Sequence, residues 1–303
     1  MRPAGVATNF YLYLGTVLIW GSTWLFINFQ LGVVAPEVSI VYRHAAASLA
    51  LFFWSFLRGL KLRFGLRAHG HFALMGLFMF SLNYILTYSA QHYIPSALNA
   101  VIFSSMMWMN VLNARVFFGT PVEPRVYTGA GLGILGLIML FWPSLSAIDF
   151  TSRTLYGAGL SLSGALLASW GNMVSHGAQR ERLPIVQSNA WGLFYGMLIT
   201  VAVTLARGLP FNFEFTFGYI GSLLYLTLFG SIMGFGVYLK LLGRIGPHRA
   251  GYAMVTFPVV AVLLSVVFEG LTVEMHLMAG VVMVLLGNMF ILDLRRAVKR
   301  VHM

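Results

Sequence analysis

The sequence FFGTPVEPRVYTGAGLGILG spans residues 117–136, and FEGLTVEMHLMAGVVMVLLG spans residues 268–287. A phenylalanine, a glutamate and three glycines occupy the same places in both stretches, at one constant offset. Compositional bias alone would scatter such matches, whereas these cover a loop and a whole helix in one register. The pattern predicts an internal repeat, with residues 1–147 as the first half and 148–303 as the second.

Further matches lie earlier in each half. Trp20-Gly21 recurs as Trp170-Gly171 in the first predicted helix of each half, and Pro36 recurs as Pro184 at the start of the second. A proline fits a helix start because its missing N–H has no partner there and its φ is already helical. The repeat is therefore expected to extend over the whole chain.

Composition indicates that lipid is the solvent of this chain. Of its 303 residues 59% are hydrophobic and 9% charged, against roughly 45–50% and 25% in an average soluble domain. Stretches of about 20 residues without charge recur, long enough to cross a hydrocarbon core of roughly 30 Å. Barrel strands would instead alternate over roughly ten residues. An all-α integral membrane protein is the predicted fold class, since helices satisfy their backbone hydrogen bonds internally.

The apolar stretches and their punctuation predict ten transmembrane helices. They are placed at 10–29, 36–57, 71–91, 94–118, 125–142, 154–177, 184–206, 215–240, 247–269 and 274–293. Five helices per half is an odd number, so the two halves are expected to have inverted topology. Secondary transporters with inverted repeats bind their substrate near the midplane, between the repeats.

The distribution of basic residues predicts the orientation. With the N-terminus inside, 16 of the 19 lysines and arginines fall in cytoplasmic segments, and Arg153 and Arg207 are left on the other side. This is a positive-inside bias, which places both termini in the cytoplasm of a multi-pass protein of the bacterial inner membrane. The net charge of +11 thus needs no nucleic-acid partner. The basic cluster 295–300 is expected to contact anionic lipid headgroups.

At this point the residues resemble a known family. Residues 250–292, with the Pro258-Val259-Val260-Ala261-Val262-Leu263-Leu264 core, the turn at 268–272 and the Gly280…Gly287 helix, are similar to the EamA module of the drug/metabolite transporter superfamily. The first half carries a weaker copy, from Ser96 to Leu140. The resemblance implies a ten-helix transporter of two inverted five-helix repeats, most like the aromatic amino-acid exporters of the YddG type. The turns depart from the family pattern, since Gly119-Thr120 and Glu269-Gly270 stand where members often have Gly-Glu.

The basic pair Arg43-His44 lies about two turns into the second predicted helix. A charge at membrane depth is expensive and marks a functional site by default. Arg43 could hold a substrate carboxylate through two hydrogen bonds, or it could reach the outer surface or pair with Glu37. His44 could titrate with a transported proton, or it could be a hydrogen-bonded structural histidine.

Aromatic and polar side chains recur at helical spacing near the centres of several predicted helices. Together with the basic pair, the predicted substrate-binding residues are Trp20, Trp24, Arg43, His44, Asn83, Tyr84, Tyr88, Asn99, Trp108, Trp170, Asn172 and Tyr252. An aromatic cavity with a few polar groups suits an amphipathic solute. The alternative for each aromatic is packing against lipid or an interfacial belt. The prediction is collective rather than residue by residue.

Small residues four apart allow helices to approach closely. Gly129 and Gly133 in the fifth predicted helix, and Gly230 and Gly234 in the eighth, are therefore expected to pack helices or to act as hinges. Pro258 falls inside the ninth predicted helix, where a kink is expected.

Signals for catalysis, metals or cofactors are absent from the sequence. The chain has no cysteine, which excludes disulfides, thiolate metal sites and cysteine nucleophiles. It also has no paired carboxylates inside a predicted span and no phosphate-binding loop. We therefore expect a non-enzymatic secondary transporter that exports small amphipathic metabolites, such as aromatic or other neutral amino acids, by alternating access.

Two alternatives remain open at this stage: a lipid translocator or membrane-embedded lipid-processing enzyme, and a non-transporting scaffold. The expected partners are a small-molecule substrate and membrane lipid. The sequence is compatible with a monomer and does not determine the oligomeric state.

Overall fold

A computed structural model of the chain describes residues 3–30, 32–90, 92–94, 96–146, 148, 151–268 and 273–292. Helices dominate this described part, in which no strand occurs. The helices are α1 (Pro3–Ile27), α2 (Pro36–Leu57), α3 (Leu66–Ala90), α4 (Ser96–Ser104 and, after a break at Ser105, Met106–Phe118), α5 (Pro124–Leu140), α6 (Ser152–Arg180), α7 (Ile185–Ala206), α8 (Phe217–Ile245), α9 (Ala253–Phe268) and α10 (Met275–Leu292). Short helices at Trp142–Ser146 and Pro247–Ala250 precede α6 and α9.

The fold class predicted from composition, an all-α membrane protein, is confirmed. Five described helices are long and apolar enough to cross a membrane by length and composition: Pro36–Leu57, Leu66–Ala90, Val101–Phe118, Ile185–Ala206 and Phe217–Ile245. Shorter apolar helices lie at Pro124–Leu140 and Met275–Phe290. The helix α6 is rich in serine and glycine and packs against α3 and α4. The count of ten transmembrane helices stays a prediction.

Helix boundaries differ from the predicted ones mainly where glycine or proline interrupts the chain. The predicted helix 247–269 divides into Pro247–Ala250 and α9. Gly246 has φ +82°, a left-handed value that favours glycine, and it lets the chain turn sharply out of α8. The helix α9 continues through Pro258.

The two halves of the chain interleave, and neither packs as a separate unit. The helix α5 packs along α10, α2 along α7, α3 along α6 and α1 along α8 and α9. Two groups follow from these contacts: a first bundle of α1, α8 and α9, and a second bundle of α6, α3 and α4. Each bundle takes helices from both halves. The pair α2–α7 packs on both bundles, through α7 on α3 and through α2 on α8, and the pair α5–α10 lies beside α9.

Repeat glycines form the contact between α5 and α10. A methyl group at Gly136 would lie 2.8 Å from the carbonyl oxygen of Gly280, and one at Gly280 would lie 2.6 Å from that of Gly136. One at Gly287 would lie 2.5 Å from the carbonyl oxygen of Gly129. No larger side chain fits at this contact, so the glycines that match between the halves bring the two backbones together.

The third helix of each half contains a π-helical segment. These segments are Gly76–Leu82 in α3 and Leu226–Gly234 in α8. A π segment changes the direction in which later side chains point and is often found at functional sites. Both segments lie beside the interface between the two bundles.

Candidate functional site

A cavity of about 180 Å³ lies between the two bundles. One buried water needs roughly 10–15 Å³, so this space can hold a small organic molecule or many waters. The first bundle contributes Trp20, Thr23, Ile27, Phe235, Tyr238, Met254 and Phe257 to its wall. The second contributes Met79, Asn83, Tyr84, Thr87, Tyr88, Asn99, Phe103, Ser104, Met106, Ala168 and Asn172, and α2 contributes Arg43.

The wall is mostly aromatic or thioether-bearing, and Arg43 is its one charged residue among those described. No carboxylate lines it in the described part of the chain. Rings and thioethers provide apolar contact, while a few hydroxyls, amides and one guanidinium can orient a ligand. The cavity therefore has the chemistry to hold an amphipathic molecule that carries an anionic group.

Arg43 is buried, with 7% of its surface exposed, so it does not extend to the membrane surface. Its Nε donates a hydrogen bond of 2.8 Å to the Ser231 hydroxyl in the π segment of α8. Its guanidinium carbon lies 6.0 Å from the ring centroid of Tyr84 on α3. The expected alternative partner, Glu37, pairs instead with Arg207. The rest of the guanidinium fork has no described carboxylate partner, and Arg43 lines the cavity.

The π segment of α8 is what makes room for this guanidinium. A methyl group at Gly230 would lie 2.6 Å from Nη2 of Arg43. The next residue, Ser231, accepts from Arg43 through its hydroxyl and from the Asn189 amide through its carbonyl, at 3.4 Å. A side chain at position 230 would displace Arg43 from the cavity wall.

Trp20 fixes the opposite side of the same π segment. Its indole Nε1 donates to the carbonyl oxygen of Gly230 at 3.2 Å. Its ring packs against those of Phe235 and Tyr238, at centroid distances of 5.1 and 4.9 Å. A methyl group at Gly234 would lie 2.5 Å from the indole nitrogen. The expected packing role of Gly230 and Gly234 thus takes the form of space for cavity-lining side chains.

Several polar residues of the second bundle have their hydrogen-bonding groups occupied within it. Asn99 donates through Nδ2 to the carbonyl oxygen of Thr87 at 3.0 Å and accepts at Oδ1 from Ser161 at 2.6 Å. It therefore joins α3, α4 and α6. By contrast, Oδ1 of Asn83 is buried and has no hydrogen-bond partner. Asn83 is thus the amide in the wall whose acceptor is unused.

The floor of the cavity is formed by an amide pair between α4 and α6. Asn172 donates through Nδ2 to Oδ1 of Asn110 at 3.2 Å, and both residues are buried. Tyr238 and Met254 close the floor from the first bundle. The wall residues at the other end of the cavity, Ile27 and Tyr88, are only partly buried.

Seven predicted site residues line the cavity: Trp20, Arg43, Asn83, Tyr84, Tyr88, Asn99 and Asn172. Four others are not among the residues that line this cavity. Trp108 packs against Tyr127 on α5, Trp170 against Phe78 on α3, and His44 between Phe80 and Tyr84. The hydroxyl of Tyr252 donates to the carbonyl oxygen of Val284 at 3.0 Å. The side chain of Trp24 lies outside the described residues.

Helical phase explains most of these differences. Successive residues turn by about 100° around a helix axis, so Arg43 and His44 cannot share one direction, nor can Trp170 and Asn172. Tyr252 is drawn into the α5–α10 contact, because its ring fills the space beside Gly133. His44 is fully buried and neither of its ring nitrogens has a hydrogen-bond partner.

Most of the wall residues that the sequence did not predict are apolar. They include Phe103, Phe235 and Phe257, with Met79, Met106 and Met254. Apolar residues at these positions are equally typical of helices that face lipid or a core, so periodicity carries no signal that separates them. The phase change at the π segments also moves Met79 and Phe235 relative to an ideal helix.

Comparison with known proteins gives a consistent family match. A model described as the EamA-like transporter family matches twice, at residues 9–142 and 150–293. A protein of Escherichia coli strain K12, named "Uncharacterized inner membrane transporter YedA", is 29% identical over 85% of this chain and 81% of its own length. A Bacillus subtilis protein named "Uncharacterized transporter YoaV" is 26% identical over 82% and 84%.

A third relative and one solved structure extend the match to nearly the whole chain. A Salmonella typhimurium protein named "Probable amino-acid metabolite efflux pump" is 24% identical over 95% of this chain and 97% of its own length. A crystal structure at 17% identity superposes with a TM-score of 0.79 over 98% of this chain and 99% of that one. At this identity the structural likeness establishes the fold.

Proposed function

The chain belongs to the EamA-like transporter family, and we propose that it is a secondary transporter of the bacterial inner membrane. From its central cavity we infer that the exported solutes are small amphipathic metabolites with a carboxylate, such as aromatic or other neutral amino acids. The observation that carries this proposal is the buried guanidinium of Arg43 in an aromatic cavity whose other described wall residues are uncharged. The names of the transporter relatives agree with it, one of them being an amino-acid metabolite efflux pump.

Arg43 is suited to bind the carboxylate of such a solute. Among the described residues, its side-chain hydrogen bond is the one from Nε to the Ser231 hydroxyl, at 2.8 Å. A guanidinium fork can donate two parallel hydrogen bonds to one carboxylate. Because no described carboxylate lies in the wall, the charge of Arg43 has its natural counter-ion in the solute. Organic cations would meet the same sign of charge and are expected to be excluded.

The rest of the wall is suited to an apolar or aromatic side chain. Phe103, Phe235 and Phe257 offer ring faces and edges, and Met79 and Met106 add flexible thioethers. Burying one aromatic side chain contributes roughly 1.5–3 kcal/mol, and ring pairs add about 0.5–1.5 kcal/mol. Aromatic solutes should therefore bind more tightly than small aliphatic ones.

The glycine contact between α5 and α10 supports the proposal that the halves are inverted repeats. Gly129 and Gly136 of the first half correspond in sequence to Gly280 and Gly287 of the second. Gly129 meets Gly287 and Gly136 meets Gly280, so the contact is self-complementary, as expected across a two-fold axis. Exchanged partners of this kind arise when the helices run antiparallel, which is the arrangement of inverted repeats. The two separate family matches agree with this division.

Alternating access would move the two bundles rather than the two halves. The helices of each half pack mainly on helices of the other, so separating the halves would break most contacts in the molecule. The bundle α1, α8, α9 and the bundle α6, α3, α4 meet chiefly around the cavity and at its floor. We propose that these bundles tilt against each other and expose the cavity to one side at a time.

Transport by purified protein in liposomes tests the proposal. Labelled L-tryptophan should cross faster than in empty liposomes. Indole-3-propionate, which keeps the ring and carboxylate, should compete, whereas tryptamine, which keeps the ring and amine, should not. In the Arg43→Met variant both the flux and the competition should disappear. Equal fluxes with and without the protein, or competition by tryptamine alone, would overturn the proposed substrate class.

A further inference from the structure

A line of polar residues, some buried and some half-buried, continues from the cavity floor to the end of α6. This polar seam consists of Asn110 on α4, Asn172, Ser175, His176 and Gln179 on α6, and His248 on the short helix Pro247–Ala250. On α6, Asn172 and His176 are four residues apart, as are Ser175 and Gln179, so these side chains share one side of the helix. That side faces α8 and the start of α9, which belong to the first bundle.

Contacts across the bundles hold the seam closed. Gln179 donates through Nε2 to the carbonyl oxygen of Leu239 on α8 at 2.9 Å. A side chain at Gly243 would overlap the Gln179 amide, and one at Gly251 would overlap Nδ2 of Asn110. Glycines at these two places let the bundles meet directly.

The seam is nevertheless poorly satisfied for a packing interface. Asn110 is fully buried, yet its Nδ2 has no hydrogen-bond partner. Nδ1 of His176 and Nδ1 of His248 also lack one. Buried polar groups are almost always hydrogen-bonded, so several unused donors or acceptors in one line indicate groups that are satisfied in another arrangement.

The far end of the seam carries positive charge. His248 is followed by Arg249, which pairs with Glu123 at 3.0 Å, and Arg180 lies over the Phe118 ring at 5.3 Å. Glu123 also pairs with Arg125. Arg125 and Arg249 thus share Glu123, and next to Arg180 the carboxylate of Glu181 pairs with Arg67. Four arginines against two glutamates leave this end of the seam positive, which favours an entering carboxylate.

We infer that the polar seam is the second half of the solute pathway, closed in this structure, and that it hydrates and admits the carboxylate-bearing solute when the bundles tilt. This inference rests on the proposed transport function and adds the route and its residues. On the predicted topology the seam opens to the cytoplasm, since α6 ends there. The cavity then opens to the opposite side, where Ile27 and Tyr88 are partly exposed.

Thiol accessibility can test this directly, because the chain contains no cysteine. Ser175 is 2% exposed and Ser48 on α2 is 1% exposed, so Ser175→Cys and Ser48→Cys form a matched pair of buried, conservative changes. Ser48 bonds within its own helix, to the carbonyl oxygen of Ala45 at 3.0 Å. Each variant is reconstituted, its L-tryptophan flux is measured, and a membrane-impermeant maleimide is applied from either side.

With transport running, Ser175→Cys should be labelled at least ten-fold faster than Ser48→Cys, and from one side only. Transport without any labelling of Ser175→Cys would overturn the seam. Labelling without L-tryptophan flux would leave the seam as a hydrated pathway and overturn the proposed solute. Absence of both flux and labelling, in protein that elutes as a single species, would overturn both.

A cross-link provides a second measurement that does not depend on reactivity at Ser175. A short bifunctional thiol reagent should join Asn113→Cys on α4 to Ser169→Cys on α6, whose native side chains are 2.9 Å apart. That pair lies within the second bundle and is in neither the cavity wall nor the polar seam, so its cross-link should leave transport intact. Joining Gln179→Cys to Gly243→Cys bridges the bundles and should abolish transport until the cross-link is cleaved. Full transport with the bridging cross-link in place would contradict the inference.

Discussion

The interface between the two bundles differs at its two ends. Around the cavity, polar groups are bonded inside one bundle, as Asn99 is to Thr87 and Ser161, and few bonds cross. Along the polar seam, Gln179 and Arg249 reach across to neighbouring elements, and glycines bring the backbones close. The same two bundles are thus held apart at one end and held together at the other. This asymmetry is what a transporter stopped on one side of its cycle should have.

Arg43→Met should have the largest effect, because it removes the charge on which the cavity end depends. Truncating one partner of a buried charge pair costs about 2–5 kcal/mol, so L-tryptophan should bind at least about thirty-fold more weakly. Calorimetric titration of the purified protein measures this. Arg43→Lys keeps the charge and loses the planar fork, so its affinity should fall between the two. Unchanged affinity in Arg43→Met would remove the solute from this part of the cavity.

Gly251→Ala should loosen the closed end without touching the cavity. Its Cβ would overlap Asn110 and lie 3.1 Å from the carbonyl oxygen of Pro247. Over-packing of this kind costs about 1–3 kcal/mol, enough to raise labelling of Ser175→Cys about ten-fold. Gly236→Ala is the matched control on α8, since nothing lies within 4 Å of its Cβ. Equal labelling in the two variants would show that the Gly251 contact does not hold the seam closed.

Asn110→Leu should also raise the labelling of Ser175→Cys, but by less than Gly251→Ala does. The substitution leaves Asn172 buried without its hydrogen-bond partner, which costs about 1–3 kcal/mol. Part of this cost is the same in the closed and open states, so only the remainder changes the labelling. Adding Asn172→Leu replaces both amides by side chains of similar volume and should restore stability toward wild type. Thermal unfolding of the two single variants and the double variant gives the coupling. Additive losses would show that the amide pair is not a unit.

Glu123→Gln should have the smallest effect. The Glu123–Arg249 pair is partly exposed, with 46% and 29% of the side chains accessible, and exposed pairs contribute about 0.2–1 kcal/mol. Labelling of Ser175→Cys should rise by at most about five-fold, and the difference should fade in high salt. A larger, salt-independent change would mean that this pair does more than close the surface end of the seam.

The sequence predicts the fold class, the membrane environment and the importance of Arg43, because each depends on local composition or on one costly charge. It does not predict which aromatics line the cavity. Trp170 and Asn172 are two residues apart on α6, and only the packing of α3 decides that Asn172 faces the cavity. The π segments add to this, since they rotate Met79 and Phe235 away from the phase of an ideal helix.

Helical periodicity also cannot predict which residues contact each other when they lie far apart in the sequence. Asn99 and Asn83 are both asparagines near helix centres, and the sequence does not distinguish their roles. In the structure the amide of Asn99 is hydrogen-bonded to Ser161 and Thr87, whereas Oδ1 of Asn83 has no hydrogen-bond partner. Tyr252 looks like a cavity residue until Gly133 and Val284 are seen to take up its ring and hydroxyl. These contacts join residues far apart in sequence and follow from how the two halves interleave.

Paired distances across both ends of α6 and α8 test whether the two bundles tilt against each other. Spin labels at Arg180→Cys and Lys240→Cys report on α6 and α8 at the seam end, and labels at Ser152→Cys and Phe217→Cys report on the same helices at the cavity end; all four positions are exposed. L-Tryptophan should add a population in which the first distance is longer and the second shorter. Distances that stay fixed, or that lengthen together, would contradict the tilt.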